Sequence, residues 1–443
     1  MNRLMHGSLT ALAWLCLAAA ASASMVDHGE RATVDGIDLV TYHTDVKDVV
    51  VVVGALPAGD AFAGSGNAAV PTLLGMMLDH GTRTLDQFAI AQQLESVGAE
   101  ISYGVGTQSL EIRAKCLRKD LPLVIGLISA ELRTPALAAA EFAKAKQQFI
   151  GLLQESEDST DARAQEEFAR AVYPEGSPNR PHKIEEFIAA AKSATLDDIK
   201  TFHAANYGPA HMTLVLVGDV DMATARAPID KAFAGWTGGH DYLSGPPPLP
   251  AAASSEVKVT ISEKTSVSVI LGQATGLRYK DHDALALRVA TAALGHGFTG
   301  RLMASVRDKE GLTYDIGSNV VDDTLTGGAW ELTATFAPTL LGKGIAASRR
   351  ELQNWWQDGL TAKELSLRKQ GLIGGYEVGL STTGGLASTI LNSLLRGYDL
   401  AWLDEYPRAV DALTLEEVNA AIKSHLNPAT MVLVESGTFA PAK

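Results

Sequence analysis

The chain has 443 residues, a formal net charge of −14, 46% apolar residues and 20% charged residues. Such an acidic chain is a poor nucleic-acid binder, and its composition is that of an ordinary globular protein rather than a disordered one. Its two cysteines, Cys16 and Cys116, exclude a disulfide scaffold.

The chain opens with Met1-Asn2-Arg3, an apolar run from Leu9 to Ala20, and Ala21-Ser22-Ala23. A basic start, a short hydrophobic stretch and an A-x-A site read as a secretory signal peptide over residues 1–23. Trp14 and Leu15 are too bulky to precede a lipid-modified Cys16. The mature chain is expected to start near Ser24, to carry −15 once Arg3 is gone, and to be a soluble exported protein, in the periplasm. No later segment is apolar enough to span a bilayer.

The solid apolar run Val49 to Val53 suits the interior of a sheet. Ala99, Ile101, Tyr103 and Val105 alternate with small or polar residues, as do Leu110, Ile112, Ala114 and Cys116, which predicts two strands joined near Gly106-Thr107. Helices are expected over Asp120 to Leu132, Leu137 to Ser156, Asp158 to Val172 and Gly342 to Trp356. Trp330, Leu332, Ala334 and Phe336 form another alternating strand.

A Gly- and Pro-rich stretch from Gly238 to Ser255 interrupts these elements. It divides the mature chain into halves over 24–237 and 257–443, with a linker at 238–256. The halves repeat. Thr195-Leu196-Asp197-Asp198-Ile199 leads to Pro209, Met212 and a strand from Thr213. Thr414-Leu415-Glu416-Glu417-Val418 leads to Pro428, Met431 and a strand from Val432, 219 residues later at each landmark. Thr caps each helix, acids fill its first turn and Pro follows its end. The expected fold is α+β: two similar domains, each a mixed, mainly antiparallel sheet with helices on one face.

The order and spacing of several stretches resemble the insulinase/pitrilysin (M16) peptidase family. They are Val49–Val53 with Gly54 to Gly59, Val70 to Thr82, Asn206 to Val220, Leu294 to Leu302, Val306 to Tyr314, and Asp358 to Lys369. Active members carry H-x-x-E-H, two histidines four apart on one helix face that bind zinc and a Glu that polarises water. Aligned on Gly81-Thr82, this sequence has Thr72, Gly75 and Met76 at those positions. The more distant Glu ligand falls near Leu152-Leu153. None of the eleven histidines stands three or four residues from another, so no metal site is expected in this chain.

The resemblance retains Arg307 and Tyr314, within Arg307-x-x-x-Gly311-Leu312-x-Tyr314. In such proteins these project toward a zinc site and donate to substrate and oxyanion. The competing reading pairs Arg307 with Asp308 or Glu310 and makes Tyr314 an ordinary strand residue. The resemblance implies the non-catalytic subunit of a heterodimeric zinc metallopeptidase. This chain would bring Arg307 and Tyr314 to peptides, and an H-x-x-E-H partner would bring Zn. The rival expectation is a structural or peptide-binding scaffold with no role in proteolysis.

Overall fold

The computed structural model describes residues 24–439. The expected signal peptide and Cys16 lie outside the described residues. Cys116 is buried in an alternating strand.

The amino-terminal half is built on six strands: β1 (Gly29–Val34), β2 (Ile37–His43), β3 (Val49–Leu56), β4 (Glu100–Val105), β5 (Leu110–Leu117) and β6 (Thr213–Gly218). Their order in the sheet is β1-β2-β6-β3-β5-β4. The β2–β6 pair is parallel and the rest are antiparallel. Asp35 and Gly36, both at positive φ, close the β1–β2 hairpin with the handedness that a two-residue turn needs. Eight helices accompany this sheet in sequence: α1 (Val70–Gly75), α2 (Gln87–Val97), α3 (Leu121–Arg133), α4 (Ala139–Glu157), α5 (Thr160–Val172), α6 (Ile184–Ser193), α7 (Leu196–Asn206) and α8 (Met222–Phe233).

The carboxy-terminal half repeats the plan without the outer hairpin strand. β7 (Ser255–Thr260), β8 (Val267–Ala274), β9 (Thr313–Val321), β10 (Ala329–Phe336) and β11 (Val432–Gly437) stand in the order β7-β11-β8-β10-β9, and β7–β11 is again the parallel pair. Its helices are α9 (Ala284–Gly295), α10 (Leu341–Asp358), α11 (Ala362–Leu380), α12 (Thr383–Leu395), α13 (Trp402–Ala412) and α14 (Leu415–His425). The repeated helices α7 and α14 start on matching capping boxes. Thr195 exchanges hydrogen bonds with Asp198, and Thr414 does so with Glu417.

Helices on one face alone would leave half of each central strand wet. β3 buries Val50, Val52 and Leu56 against its own half, while Val53 and Ala55 point the other way. That second face is covered by α12 of the opposite half, through Leu386, Ala387, Ile390 and Leu391. Reciprocally, α5 of the amino-terminal half lays Ala164, Phe168 and Val172 on Ile270, Ala274, Val432 and Val434 of the other sheet. The halves therefore exchange one helix each, which explains why β3 is apolar throughout and why every residue of β8 is buried, Ser268 and Gln273 included. Gly272 permits the close approach: a Cβ there would stand 2.2 Å from the Trp330 carbonyl and 2.8 Å from the Phe168 ring. Among the described residues, no helix is long and apolar enough to cross a membrane.

Candidate functional site

The region resembling a zinc helix is shorter than the sequence implied. The helical stretch expected over 70–82 is α-helical only to Gly75. It then tightens, with Met77 N donating to the Leu74 carbonyl at 2.9 Å and Leu78 N to that of Gly75. Gly81, at φ +121°, turns the chain away.

The three positions that would hold the metal and its base are used otherwise. Thr72 Oγ1 donates to Asp60 Oδ1 at 2.7 Å. Asp60 sits on a short turn pinned to the β4–β5 connection: its amide donates to the Gly106 carbonyl and that of Ala61 to the Thr107 carbonyl. Burial pushes the Asp60 carboxyl up to about 6, and the Thr72 hydroxyl only partly offsets this. At Gly75 a Cβ would come within 2.4 Å of Val105 Cγ2, so no longer side chain enters without displacing the end of β4. Met76 packs against the amino-terminal core. On α4, Leu153 is buried in that core and Leu152 is half exposed. A committed hydroxyl, a glycine without room and a core thioether do not fit zinc. His80 has a partner that helical spacing does not reveal, Glu141 of α4, at 3.1 Å from Nδ1. Among the described residues, no cluster of three or more His, Cys, Asp or Glu could hold a metal ion.

Beside Asp60 lies a cavity of about 900 Å³, lined among others by Thr107, Leu153, Arg170, Asn179 and Phe187. Its wall between α5 and α6 is tied to the opposite half. Tyr173 donates to Asp322 Oδ2 at 3.0 Å, and Asn179 Nδ2 to the Asp322 carbonyl at 2.8 Å. Arg170 and Arg180 brace the same segment through main-chain carbonyls, at 2.8 Å to Pro181 and 2.7 Å to Tyr173.

Arg307 and Tyr314 come together on the other half. Arg307 sits in a π-helical turn over Met303–Lys309, and Tyr314 is the second residue of β9. Gly311, at φ +63°, reverses the chain between them. The guanidinium carbon lies 4.8 Å from the Tyr314 ring centre and 5.3 Å from that of Phe298. This is a cation between two aromatic groups. The expected acidic partner is engaged elsewhere, since Glu310 is held by Arg350. Among the described residues, Arg307 makes no ion pair within 4.0 Å. Tyr314 is 83% exposed and Phe298 76%, so both rings of the stack are open to solvent.

The loop bearing Phe298 is fixed from α11 and its amino-terminal cap. Arg301 forks onto Glu364 at 2.5 and 2.8 Å and also reaches the Gly359 carbonyl. Arg368 donates to the His296 carbonyl and to Thr299 Oγ1. The Arg301 hydrogen bonds hold Glu364 down at about 2. Phe298, Asp60 and the α5–α6 wall are site residues that sequence reasoning did not single out. An aromatic residue between Gly297 and Gly300 was the available signal for the first. Among the described residues, no hydrogen bond, ion pair or ring contact joins the Thr72–Asp60 pair to the Arg307 stack.

The family described as Peptidase M16 inactive domain matches residues 193–372. The chain is 26% identical over 401 residues to an uncharacterized zinc protease of Mycobacterium bovis, covering 88% of this chain and 87% of that one. It is 24% identical over 391 residues to a non-peptidase homolog of Helicobacter pylori, covering 85% and 88%. The crystal structure of a peptidase M16 inactive domain from Pseudomonas fluorescens superposes with a TM-score of 0.85 at 23% identity, covering 94% of this chain and 99% of that one. The duplicated α+β halves thus share the fold of an M16 inactive-domain structure, and residues 193–372 match that family's model.

Proposed function

We propose that this chain is the non-catalytic subunit of an exported heterodimeric M16 zinc metallopeptidase. The observation that carries the reading is the solvent-exposed Phe298–Arg307–Tyr314 stack, whose guanidinium has no ion pair among the described residues, in a chain whose Thr72, Gly75 and Met76 do not fit zinc. A partner with H-x-x-E-H supplies Zn. The Arg307 guanidinium binds a carbonyl of the bound peptide, and the Tyr314 hydroxyl donates to the oxygen that gains charge as the peptide bond is attacked. Donors placed in advance at developing charge supply the larger part of such catalysis.

The test is peptide hydrolysis by each chain alone and by the mixture. The mixture gains activity that neither chain has, and Arg307→Ala with Tyr314→Phe removes most of it. An unchanged rate on mixing, or full activity in that double variant, refutes the proposal.

A further inference from the structure

The first described residues are firmly held. Ser24 Oγ donates to Asp404 Oδ2 at 2.5 Å, Met25 N to Oδ1 at 3.1 Å and Val26 N to Oδ2 at 3.3 Å. One carboxylate thus receives donors from three successive residues. Asp404 lies in the first turn of α13, in the carboxy-terminal half, whereas Ser24 to His28 lead directly into β1, the outer strand of the amino-terminal sheet.

The surrounding contacts tighten this junction. Met25 and Leu400 pack on the cluster through which Leu403 and α12 cover β2, β3 and β6. At Gly29 a Cβ would stand 2.7 Å from Leu400 Cδ1 and 3.3 Å from the Tyr42 ring, so β1 lies hard against the segment before α13. Burial works against the Asp404 charge. The hydrogen bonds from Ser24, Met25 and Val26 and the nearby Arg408 outweigh it and hold the carboxyl below its ordinary range.

Ser24 follows Ala21-Ser22-Ala23, which puts alanine at the first and third positions before it. We infer that maturation hydrolyses the Ala23–Ser24 bond and that Asp404 receives the new α-ammonium group of Ser24, so that leader removal adds a charged contact to the clasp that Ser24, Met25 and Val26 already make between the two halves. Water adds across the amide: its oxygen goes to Ala23, which leaves as a carboxylate, and both of its protons end on the Ser24 nitrogen, which becomes an ammonium. An uncharged amide is thereby replaced by a cation beside a carboxylate that already holds the Ser24 hydroxyl. The inference rests on reading residues 1–23 as a leader.

Two measurements separate the parts of this inference. The intact mass of the chain purified from its native host is expected to correspond to a start at Ser24. A start elsewhere overturns the assigned cleavage. Independently, a chain beginning at Ser24 is released from a cleavable fusion and treated with limiting acetic anhydride at pH 7, alongside Asp404→Asn and Asp404→Ala. An ion pair that raises the α-amine by one unit from its ordinary 7.7–8.0 leaves about tenfold less free amine at pH 7. The parent chain is therefore expected to be acylated at its terminus about tenfold more slowly than either variant. In chains retaining Ser22 and Ala23 the Asp404 substitutions make no difference. Equal rates in the parent chain and in whichever variant keeps its near-ultraviolet circular dichroism overturn the receptor role of Asp404, whatever the native start proves to be.

Discussion

Asp60 takes the hydroxyl of Thr72, the residue that the register on Gly81-Thr82 sets against the first histidine of H-x-x-E-H, and it does so at a penalty. Its folded pKa is raised from 3.8 to about 6, chiefly by burial. A carboxyl raised in this way weakens the fold wherever it must ionise. The penalty is absent below the unfolded value near 4, grows between there and about 6, and is complete above that. Two units at ~1.4 kcal/mol each give about 3 kcal/mol as an upper bound, and solvent in the adjoining cavity lowers this to about 1–3 kcal/mol. Asp60→Asn keeps an oxygen to accept from Thr72 and removes the charge. Urea unfolding is expected to show this variant about 1–3 kcal/mol more stable than the parent at pH 8, with the gap closing by pH 4. If Asn at position 60 destabilises the chain at pH 8, or its effect is the same at both pH values, burial of the Asp60 charge is not what the site pays for.

Glu131 and Glu331 are raised to about 7, each mainly by burial. With Asp60 they should make the parent chain more stable at pH 5 than at pH 8, as read by the thermal midpoint across that range. In the active mixture, Arg307→Ala or Tyr314→Phe alone is expected to lower the turnover rate by about 10²–10³, while the near-ultraviolet circular dichroism and thermal midpoint hold because the stack is largely exposed. The triple change Thr72→His, Gly75→Glu, Met76→His is expected to leave zinc far below one equivalent by elemental analysis. It should also destabilise the chain by about 1–3 kcal/mol, since the new Cβ meets Val105. Phe168→Ala is expected to cost about 3–5 kcal/mol, and both halves should melt earlier together, because the ring is buried between α5 and the opposite sheet.

Legibility in the sequence followed the range over which each signal acts. The capping boxes at Thr195 and Thr414, the strand at Val49 and the helices α3, α4, α5 and α10 were readable because caps, alternation and apolar runs act over a few residues. The solid apolar character of β3 also announced burial on both faces. That its second cover is α12, more than three hundred residues later, is a tertiary fact that no local pattern carries. The loss of the zinc residues was visible by register against Gly81-Thr82, but the Thr72–Asp60 pair was not, because it depends on how a turn folds back onto α1. The same distinction decides Arg307. Spacing offers Asp308 and Glu310 as partners, yet Arg350, one helix away in α10, takes Glu310. Without that competitor, Arg307 would have had a carboxylate within its own turn and less reason to lie between Phe298 and Tyr314. That Arg307 carries no ion pair among the described residues therefore rests on a pair that it does not share, Arg350 with Glu310. It is in that second set of contacts, beyond the recognisable residues, that a retained site differs from a residual motif.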